Sequence, residues 1–383
     1  MKMAFLVLLS LGVIPGYLPV RAQLSTADRV AEDGFWPTKS NPSREEFTGS
    51  AACAHCHSAK VIAQKTTPMA QTLARAEQAD VLQLHHGLIF QNGKYIYKLG
   101  MMDGKAQLTV TDGTRTLTDQ LAWAFGNSSV GQTYLFLRGG DYFEARVSYF
   151  GSLNNLHFTP SRALLAPKDL EQARSRPVSP SEVKRCFSCH STGAVFNDQF
   201  DAEKLTPGVS CEACHGPGAM HASAMQASLL QQGVADDHAR SLIFDPGKLS
   251  PVDSVDFCGA CHATWWDVKL TGITGVSNVR SQPYRLQNSK CWGKGDPRIT
   301  CIACHDPHVP LARESSAYDQ KCLACHAIEP HTEPTAQLPG AACPVARKNC
   351  SSCHMPKIDV PEMHYAFADH NIRIVKPNAP YPN

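Results

Sequence analysis

Cys211-Glu212-Ala213-Cys214-His215 is one of seven copies of the pattern Cys-x-x-Cys-His in this chain. The copies use 14 of the 16 cysteines, and every Cys-x-x-Cys pair is followed at once by a histidine. We number them motif 1 to motif 7 in chain order, and their residues are Cys53, Cys56 and His57; Cys186, Cys189 and His190; Cys211, Cys214 and His215; Cys258, Cys261 and His262; Cys301, Cys304 and His305; Cys322, Cys325 and His326; Cys350, Cys353 and His354. The repeat predicts seven equivalent attachment sites for one kind of group.

Two cysteines three residues apart share one side of a helical turn, so both thiols can bond to the same planar group. This is the attachment signature of a c-type haem, and the adjacent histidine is its proximal iron ligand. A zinc site would need a second half at matched spacing and no obligate histidine. A disulfide scaffold is disfavoured because 16 cysteines in 383 residues is about 4%, below the roughly 8–10% of such chains. We therefore predict seven covalently attached haem c groups.

The N-terminus has the features of a signal peptide. Lys2 supplies a positive charge, and residues 4–13 are almost wholly apolar. Val20-Arg21-Ala22 fits the small-x-small pattern of a signal-peptide cleavage site. We predict a signal peptide over residues 1–22 and export to the periplasm or the exterior of a bacterial cell. An uncleaved membrane anchor is the alternative.

Charge bears on the partners that we expect. Cleavage after Ala22 removes Lys2 and Arg21 and leaves 34 basic against 34 acidic residues. Each ferric haem with two histidine ligands adds about −1 through its propionates, which gives about −7 for the mature protein. This charge argues against binding DNA or other nucleic acid and favours redox proteins with basic docking patches. Membrane quinol complexes and outer-membrane electron-transfer complexes are further expected partners, and oligomers remain open.

The spacing of the motifs predicts the domain organisation. Motif 1 is separated from motif 2 by a long segment without cysteine, whereas six motifs occupy residues 186–354. Short apolar runs alternate with Asn-Gly, Asp-Gly and Gly-Gly turns in the long segment and predict hairpins. The predicted strands are Tyr95–Leu99, Gln107–Thr111, Thr133–Arg138 and Tyr142–Tyr149.

We expect an α+β protein with low regular secondary structure. The haems themselves form much of the core, a short helix carries each motif, and a small antiparallel β module is inserted after haem 1. The predicted boundaries are 23–81 for the N-terminal haem segment, 82–160 for the β module, 161–185 for a connecting arm and 186–383 for the haem-dense domain with haems 2–7.

Ten histidines lie outside the motifs' final positions, enough to cap seven irons on the second face. An electron carrier usually has both iron faces capped, because an open face invites small-molecule ligands. The predicted distal ligands are His86, His221, His308, His331, His364 and His370. The Pro-containing turns before His221 and His308 direct each toward a neighbouring haem. His85 is the alternative to His86, and we expect no ligand role for His55, His157 or His238.

Three sulfur-bearing residues outside the motifs have open roles. Met69 follows motif 1 on a predicted helix and is either a packing residue or a thioether ligand. Cys291 and Cys343 are the two cysteines left over, and a leftover pair in an exported chain tends to become oxidised. We predict a disulfide between them, with free buried thiols or an iron ligand as alternatives.

Three stretches carry a family resemblance: Cys214-His-Gly-Pro-Gly-Ala-Met-His221, Cys304-His-Asp-Pro-His308 and Cys350-Ser-Ser-Cys-His-Met-Pro-Lys357. Together they resemble the multihaem cytochrome c superfamily, which includes pentahaem nitrite reductase, hydroxylamine oxidoreductase and their tetrahaem partner cytochromes. The chain looks most similar to cytochrome c-552/4-type domain proteins over roughly residues 50–375. The resemblance implies haems packed in parallel and perpendicular pairs that pass electrons along a chain.

Departures from that superfamily bear on function. Nitrite reductases have an active-site motif that ends in lysine, whereas all seven motifs here end in histidine. No tyrosine can be assigned the haem cross-link of hydroxylamine oxidoreductases. We therefore expect an electron-transfer protein more than an enzyme. The alternatives are a reductase or oxidase of small nitrogen or sulfur oxyanions with one open haem iron, and a subunit of an extracellular haem filament.

Overall fold

The computed structural model describes residues 42–163, 165–196, 199–232, 236–292, 298–326, 343–376 and 380–382. The predicted signal peptide at 1–22 and the predicted ligand His331 lie outside the described residues. The protein combines helices with a large sheet, which confirms the α+β prediction. Within the described ranges, no helix is both long enough and apolar enough to span a membrane.

Helices carry the motifs and the segments between them. The α-helices are Gly49–Lys65, Asp80–Leu84, Leu170–Arg174, Pro180–His190, Cys211–His215, Ala219–Gln232, Asp237–Ser241, Pro251–His262, Trp265–Thr271, Gln282–Gln287, Cys301–Cys304, Asp319–Leu323 and Cys350–His354. The 3₁₀ helices are Arg44–Glu46, Ala76–Gln78, Pro246–Lys248, Gly275–Arg280, Ser315–Tyr318 and Pro361–Met363. Each motif begins on a helix, as the spacing of its cysteines predicts, although motif 6 ends in a turn beyond its helix.

Ten strands form one antiparallel sheet that lies between motif 1 and motif 2 in the sequence. In chain order they are β1 (Leu73–Arg75), β2 (Leu88–Asn92), β3 (Tyr95–Met102), β4 (Lys105–Thr111), β5 (Thr116–Asn127), β6 (Gly131–Arg138), β7 (Asp141–Ala145), β8 (Val147–Phe150), β9 (Asn155–Phe158) and β10 (Ser175–Pro177). The order across the sheet is β10-β7-β6-β5-β4-β3-β2, with β1 on β5 and the β8–β9 hairpin on β6. Since sequential neighbours pair, the sheet is largely a meander.

Three two-stranded ladders lie outside this sheet. Ser191–Thr192 pairs with Thr206–Pro207, Val195–Phe196 pairs with Gln199–Phe200, and Lys357–Val360 pairs with Tyr365–Ala368. The last ladder forms the C-terminal hairpin. Its loop reaches the large sheet, where the Ser152 hydroxyl donates to the backbone oxygen of His364 at 2.6 Å.

The sheet is larger than predicted, and the expectation of low regular secondary structure is wrong. β5 was not predicted, yet it pairs with β1, β4 and β6. The predicted strand Tyr142–Tyr149 is divided at Arg146, because β7 pairs with the far end of β6 while β8 pairs with its beginning. Helices also extend well beyond the motifs, as in the helical segment Gly49–Lys65, which carries motif 1 and is kinked at His57.

Two buried apolar clusters fix the sheet against its neighbours. One lies within the sheet around Tyr97, Leu108 and Phe136. The other joins the sheet to the helix of motif 2, where Phe187 is fully buried with its ring centre 5.3 Å from that of Trp123 and 5.0 Å from that of Phe125. This aromatic packing holds motif 2 directly on β5.

Candidate haem-binding sites

The sulfur atoms of motif 1 and motif 3 lie side by side. A hydrogen bond between the Cys53 and Cys211 thiols raises the pKa of Cys53 and lowers the pKa of Cys211 to about 5. The Ser50 hydroxyl is 3.6 Å from the Cys211 sulfur. Thioether bonds to haem replace these S–H groups in the loaded protein, so the contact defines where the two sulfurs lie.

Further thiol contacts join the other motifs. Hydrogen bonds between thiols link motif 2 to motif 4, motif 4 to motif 5 and motif 6 to motif 7, and the pairs are Cys189 with Cys261, Cys258 with Cys301, and Cys322 with Cys350. Motif 3 lies close enough to motif 4, and motif 5 to motif 6, for electrostatic interaction between their thiols. Every motif therefore has a neighbouring motif at its cysteines.

Three motif histidines are held in the orientation that leaves one ring nitrogen for a metal. Nδ1 of His215 lies 2.9 Å from the oxygen of Phe244, and Nδ1 of His354 lies 3.0 Å from the oxygen of Arg373. His190 contacts the Thr72 hydroxyl at 2.7 Å through the same atom. A carbonyl oxygen only accepts, so Nδ1 of His215 and His354 carries the proton and Nε2 presents a lone pair.

Side chains of motifs 4 and 5 combine accessible surface with desolvation. His262 is exposed by surface area, yet burial lowers its pKa. Cys304 is likewise exposed by area, and burial raises its pKa. Accessible area and desolvation occur together when a side chain lines an internal space, since protein surrounds the space while its wall stays accessible. This combination fits a haem covalently attached beside the cysteines and the histidine of each motif.

Two pairs of imidazoles have the separation that a shared iron requires. A metal–nitrogen bond to imidazole is about 2 Å and that nitrogen lies about 1 Å from the ring centre, so two rings on opposite sides of one iron are centred about 6 Å apart. The ring centres of His215 and His308 are 6.1 Å apart and the rings are nearly parallel, at 18°. Those of His305 and His370 are 6.2 Å apart at 43°.

The free nitrogens of these pairs agree with that geometry. Nδ1 of His308 lies 2.8 Å from Oδ1 of Asp306, and Nδ1 of His370 lies 3.0 Å from the oxygen of Ala368, so Nε2 of each is available. Burial lowers the pKa of His370 to about 4, which keeps it in the neutral form that ligates metal. His308 and His370 thus lie beside the histidines of motif 3 and motif 5, each with Nε2 uncommitted.

Two other predicted distal ligands are positioned differently. His221 lies on the first turn of the helix Ala219–Gln232. Its Nδ1 is 2.8 Å from the backbone oxygen of Ala239, which again leaves Nε2 uncommitted. His364 has a left-handed backbone with φ 47°, and its buried Nε2 has no hydrogen-bond partner among the described residues. Its ring centre is only 4.6 Å from that of His157 at 77°, too close for one iron to lie between them.

The remaining predicted residues lie away from these pairs. His86 is exposed, and the ring of its alternative His85 packs at 5.3 Å from Tyr149. His55 and His238 are exposed. Met69 does not lie on a helix, since the motif 1 helix ends at Lys65 and the chain then turns, so the predicted helix at Met69 is wrong.

The structure does not join Cys291 to Cys343 by a disulfide, contrary to the prediction. Cys343 is exposed, and the backbone amides of Ala346 and Val345 lower its pKa. Cys291 instead lies near Cys304 of motif 5. The two thiols therefore face different surroundings.

A buried ion pair holds the segment that carries His370. Both carboxylate oxygens of Asp369 accept from Arg285, at 2.9 and 3.0 Å, and the two side chains have no exposed surface. Arg373 donates to the same carboxylate at 2.6 Å. The Arg373 backbone oxygen faces Nδ1 of His354, so one network connects Asp369, which precedes His370, with the histidine of motif 7.

Sequence reasoning missed this network. Arg285 and Asp369 are separated by 84 residues, and neither lies in a recognisable pattern. The hydroxyl that orients His190 belongs to Thr72, which directly precedes strand β1 and is 118 residues away in the sequence. An isolated Asp immediately before a predicted ligand is the one signal that could have pointed to Asp369.

Comparison with known proteins adds one family match. Residues 155–216 match the family model of cytochrome c554 and c-prime, and this segment contains motif 2 and motif 3. The comparison with curated proteins gives no match. A solved structure of the outer cell wall cytochrome OcwA is similar at 16% identity with a TM-score of 0.28, over 48% of this chain and 34% of that one. The chain thus spans about a third of the length of OcwA.

The matched segment includes strand β9 and ends just after His215, so it covers the junction between the sheet and the second and third motifs. Within it lie two complete Cys-x-x-Cys-His patterns, each starting on a helix. The family match and the motifs together support a multihaem c-type cytochrome, with covalently bound haem c as its cofactor.

Proposed function

We propose that this protein is an exported heptahaem c-type cytochrome that transfers electrons between redox partners through closely packed haems. The observation that carries the proposal is the closeness of cysteines of different motifs, with four pairs of motifs joined by hydrogen bonds between thiols and two more within electrostatic range. Each cysteine marks the edge of one porphyrin, so neighbouring sulfurs imply neighbouring haem edges. Electrons then pass between haems without a mobile carrier.

The contacts define a route with one branch. Motif 1 adjoins motif 3, followed by motifs 4, 5, 6 and 7, and motif 2 joins at motif 4 through Cys189 and Cys261. Haem 4 is therefore the proposed junction of three directions. The helix of motif 2 packs on the sheet, so the branch ends beside β5.

The axial pairs support conduction rather than chemistry at the iron. We assign His308 as the distal ligand of haem 3 and His370 as that of haem 5, on the ring separations of 6.1 and 6.2 Å. An iron with two histidine ligands has no open position for a substrate. His221 and His364 are the further proposed distal ligands, each with an uncommitted Nε2.

Bound haem supplies the one-electron redox centre, and the chain supplies its environment. Hydrogen bonds at Nδ1 orient six of the proposed axial imidazoles and raise their basicity as ligands, namely those of His190, His215, His221, His308, His354 and His370. Burial around motifs 4 and 5 excludes water, which shifts the balance between oxidised and reduced iron. The proposed partners are redox proteins with basic docking patches, or quinol or outer-membrane electron-transfer complexes.

Electron paramagnetic resonance of the oxidised, haem-loaded protein tests the proposal. Low-spin signals for haems 3 and 5, refusal of carbon monoxide by the reduced form at those haems and a broad titration over overlapping potentials are expected, since close haems influence one another. High-spin signals assigned to both haem 3 and haem 5 would contradict the axial pairs.

Turnover assays separate the carrier from an enzyme. The reduced protein is expected to pass electrons to an unrelated redox protein and to turn over nitrite, hydroxylamine and tetrathionate only at background rates. Sustained turnover of one of these, lost on substitution of residues at a single haem, would replace the carrier with a reductase or oxidase.

A further inference from the structure

Two buried carboxylates outside the iron-ligand set each join one motif to the helix of another. Glu212 lies between the two cysteines of motif 3, and its side chain is turned toward motif 1. Asp319 begins the helix of motif 6, and its side chain is turned toward motif 7. Only 3% of the Glu212 surface and 7% of the Asp319 surface are exposed, so neither contact is an incidental surface ion pair.

Glu212 caps the helix that carries motif 1. Oε1 accepts from the backbone N–H of Thr48 and Oε2 accepts from that of Gly49, both at 2.9 Å. These are the N-cap and first residues of the helix Gly49–Lys65, whose N-cap has no side-chain cap of its own. Oε1 also accepts from Gly218, at 2.9 Å, and so ties down the Gly-Pro-Gly turn after motif 3.

Asp319 repeats the arrangement at the other end of the haem series. Oδ2 accepts from the N–H of Asn349 at 2.7 Å and Oδ1 accepts from that of Cys350 at 2.9 Å. These are again the N-cap and first residues of a motif helix, and again the N-cap makes no side-chain cap. The amide of Cys350 is the main cause that lowers the pKa of the Asp319 carboxyl, which therefore stays an anion near neutral pH.

Three other motif helices, those of motifs 2, 4 and 5, are capped from within their own sequence. Ser179 caps the helix of motif 2 in a reciprocal box with Glu182, Ser250 caps that of motif 4, and Thr300 caps that of motif 5. Local caps satisfy the free N–H groups at a helix start without fixing the helix to anything else. A carboxylate that reaches the helix start from a different motif satisfies the same groups and also fixes the distance between two motifs.

We propose that Glu212 and Asp319 are positioning residues, each of which sets the spacing of one haem pair: haems 1 and 3 for Glu212, haems 6 and 7 for Asp319. The inference rests on the proposed function in that it assigns a haem to each motif. In both pairs the carboxylate lies close to the contacting sulfurs, because Glu212 adjoins Cys211 and Asp319 is three residues before Cys322. The fixed negative charge also favours oxidised iron nearby.

The test compares single variants of the haem-loaded full chain. Glu212→Ala is expected to raise hydrogen–deuterium exchange at residues 48–52 and to alter the paramagnetic coupling of one haem pair. Asp319→Ala is expected to raise exchange at residues 349–353 and to alter the coupling of a different pair. Glu182→Ala, which removes a local cap, is the matched control and is expected to leave all inter-haem coupling as in the native protein.

Glu212→Gln and Asp319→Asn keep the shape of the side chain and one acceptor oxygen, so they provide haem-loaded protein if an alanine variant fails to mature. Because they remove the negative charge, they are expected to raise the reduction potential of the affected haem pair. The inference fails if the Glu212 and Asp319 variants alter the same signals, if neither alters coupling, or if Glu182→Ala alters it equally. Intact-mass spectrometry tests the proposed function separately. Fewer than seven haems in the native protein would contradict the assignment of one haem to each motif, whereas the hydrogen–deuterium exchange data would still show whether Glu212 and Asp319 cap the two helices.

Discussion

The imidazoles of His305 and His370 face each other with their ring centres 6.2 Å apart, although 65 residues separate them in the sequence. One follows the cysteines of motif 5, and the other follows the buried Asp369 near the C-terminus. Their separation matches two ligands on opposite faces of one iron. On this basis we propose that His370 completes the haem site of motif 5.

Removal of a distal histidine is expected to open one iron. His370→Ala should convert haem 5 to high spin and let it bind carbon monoxide when reduced, and His308→Ala should do the same at haem 3. Visible and paramagnetic resonance spectra of each variant provide the measurement. His238→Ala, at an exposed position, is the control and should keep the native spectrum. Native spectra in both ligand variants would refute the axial assignments.

The haem count is expected to be seven for each chain, because seven complete motifs are present. Intact-mass spectrometry of the exported protein should give the mature chain plus seven haem masses. Replacement of both cysteines of motif 7 by Ser should remove one haem mass. Six or fewer haems in fully matured native protein would contradict the prediction.

Loss of Asp369 is expected to destabilise the protein strongly. Asp369→Ala leaves Arg285 buried and unpaired, which typically costs about 3–5 kcal/mol. Chemical unfolding of the loaded protein measures the loss, and the haem 5 spectrum should change with it, since Asp369 adjoins His370. The exposed pair of Asp237 and Arg240 provides the control, because Asp237→Ala should leave the unfolding midpoint in place. Equal midpoints for the two variants would show that the buried pair is dispensable.

Gly208 is expected to tolerate no side chain. Its φ is +78°, and a Cβ there would meet the backbone oxygen of Ala70. Its amide donates to the oxygen of His190 at 3.1 Å, so the chain cannot simply move away. Gly208→Ala should cost more than about 1 kcal/mol, whereas Gly87→Ala, with open space and an ordinary φ, should cost little. Thermal unfolding of the two variants checks the difference.

Cys343 is expected to be the most readily alkylated thiol of the loaded protein. It is exposed, and two backbone amides lower its pKa, so more of it is thiolate at neutral pH than of an ordinary cysteine. Timed alkylation with peptide mapping should label Cys343 before Cys291 and faster than a model thiol at pH 7. A protein in which both residues resist alkylation until reduced would restore the disulfide.

The sequence alone predicts what is local in the chain. Cys-x-x-Cys-His fixes the cysteines on helical turns, and Asn92-Gly93 and Asp103-Gly104 correctly predict the β2–β3 and β3–β4 hairpins. β5 was missed although its first half alternates in burial, because it continues through Leu121–Phe125 as an almost wholly apolar run that also pairs with β1. The periodicity of apolar residues and the residue types of turns are short-range signals, whereas β5 is defined by its pairing with β1, β4 and β6.

Contacts between distant residues could not be predicted. Glu212 reaches Thr48 across 164 residues, and Asp369 reaches Arg285 across 84. Neither carboxylate differs from a surface residue in its local pattern, and only the folded chain shows that both are buried. The cysteine pair was misjudged for the same reason, since the number of leftover thiols says nothing about their separation.

The dependence of the motif 1 helix on Glu212 has a consequence for biogenesis. In a chain that is translocated from its N-terminus, Cys53 and Cys56 emerge long before the carboxylate that completes their helix. The helical segment is kinked at His57, and its short first part, which carries both cysteines, is marginal in water without its cap. The first attachment site therefore meets the haem-loading machinery as a pliable segment. We expect haem 1 to be attached early but to reach its final position only after motif 3 has been translocated and Glu212 has capped the motif 1 helix. The order in which the haems are attached would then differ from the order in which they reach their final positions.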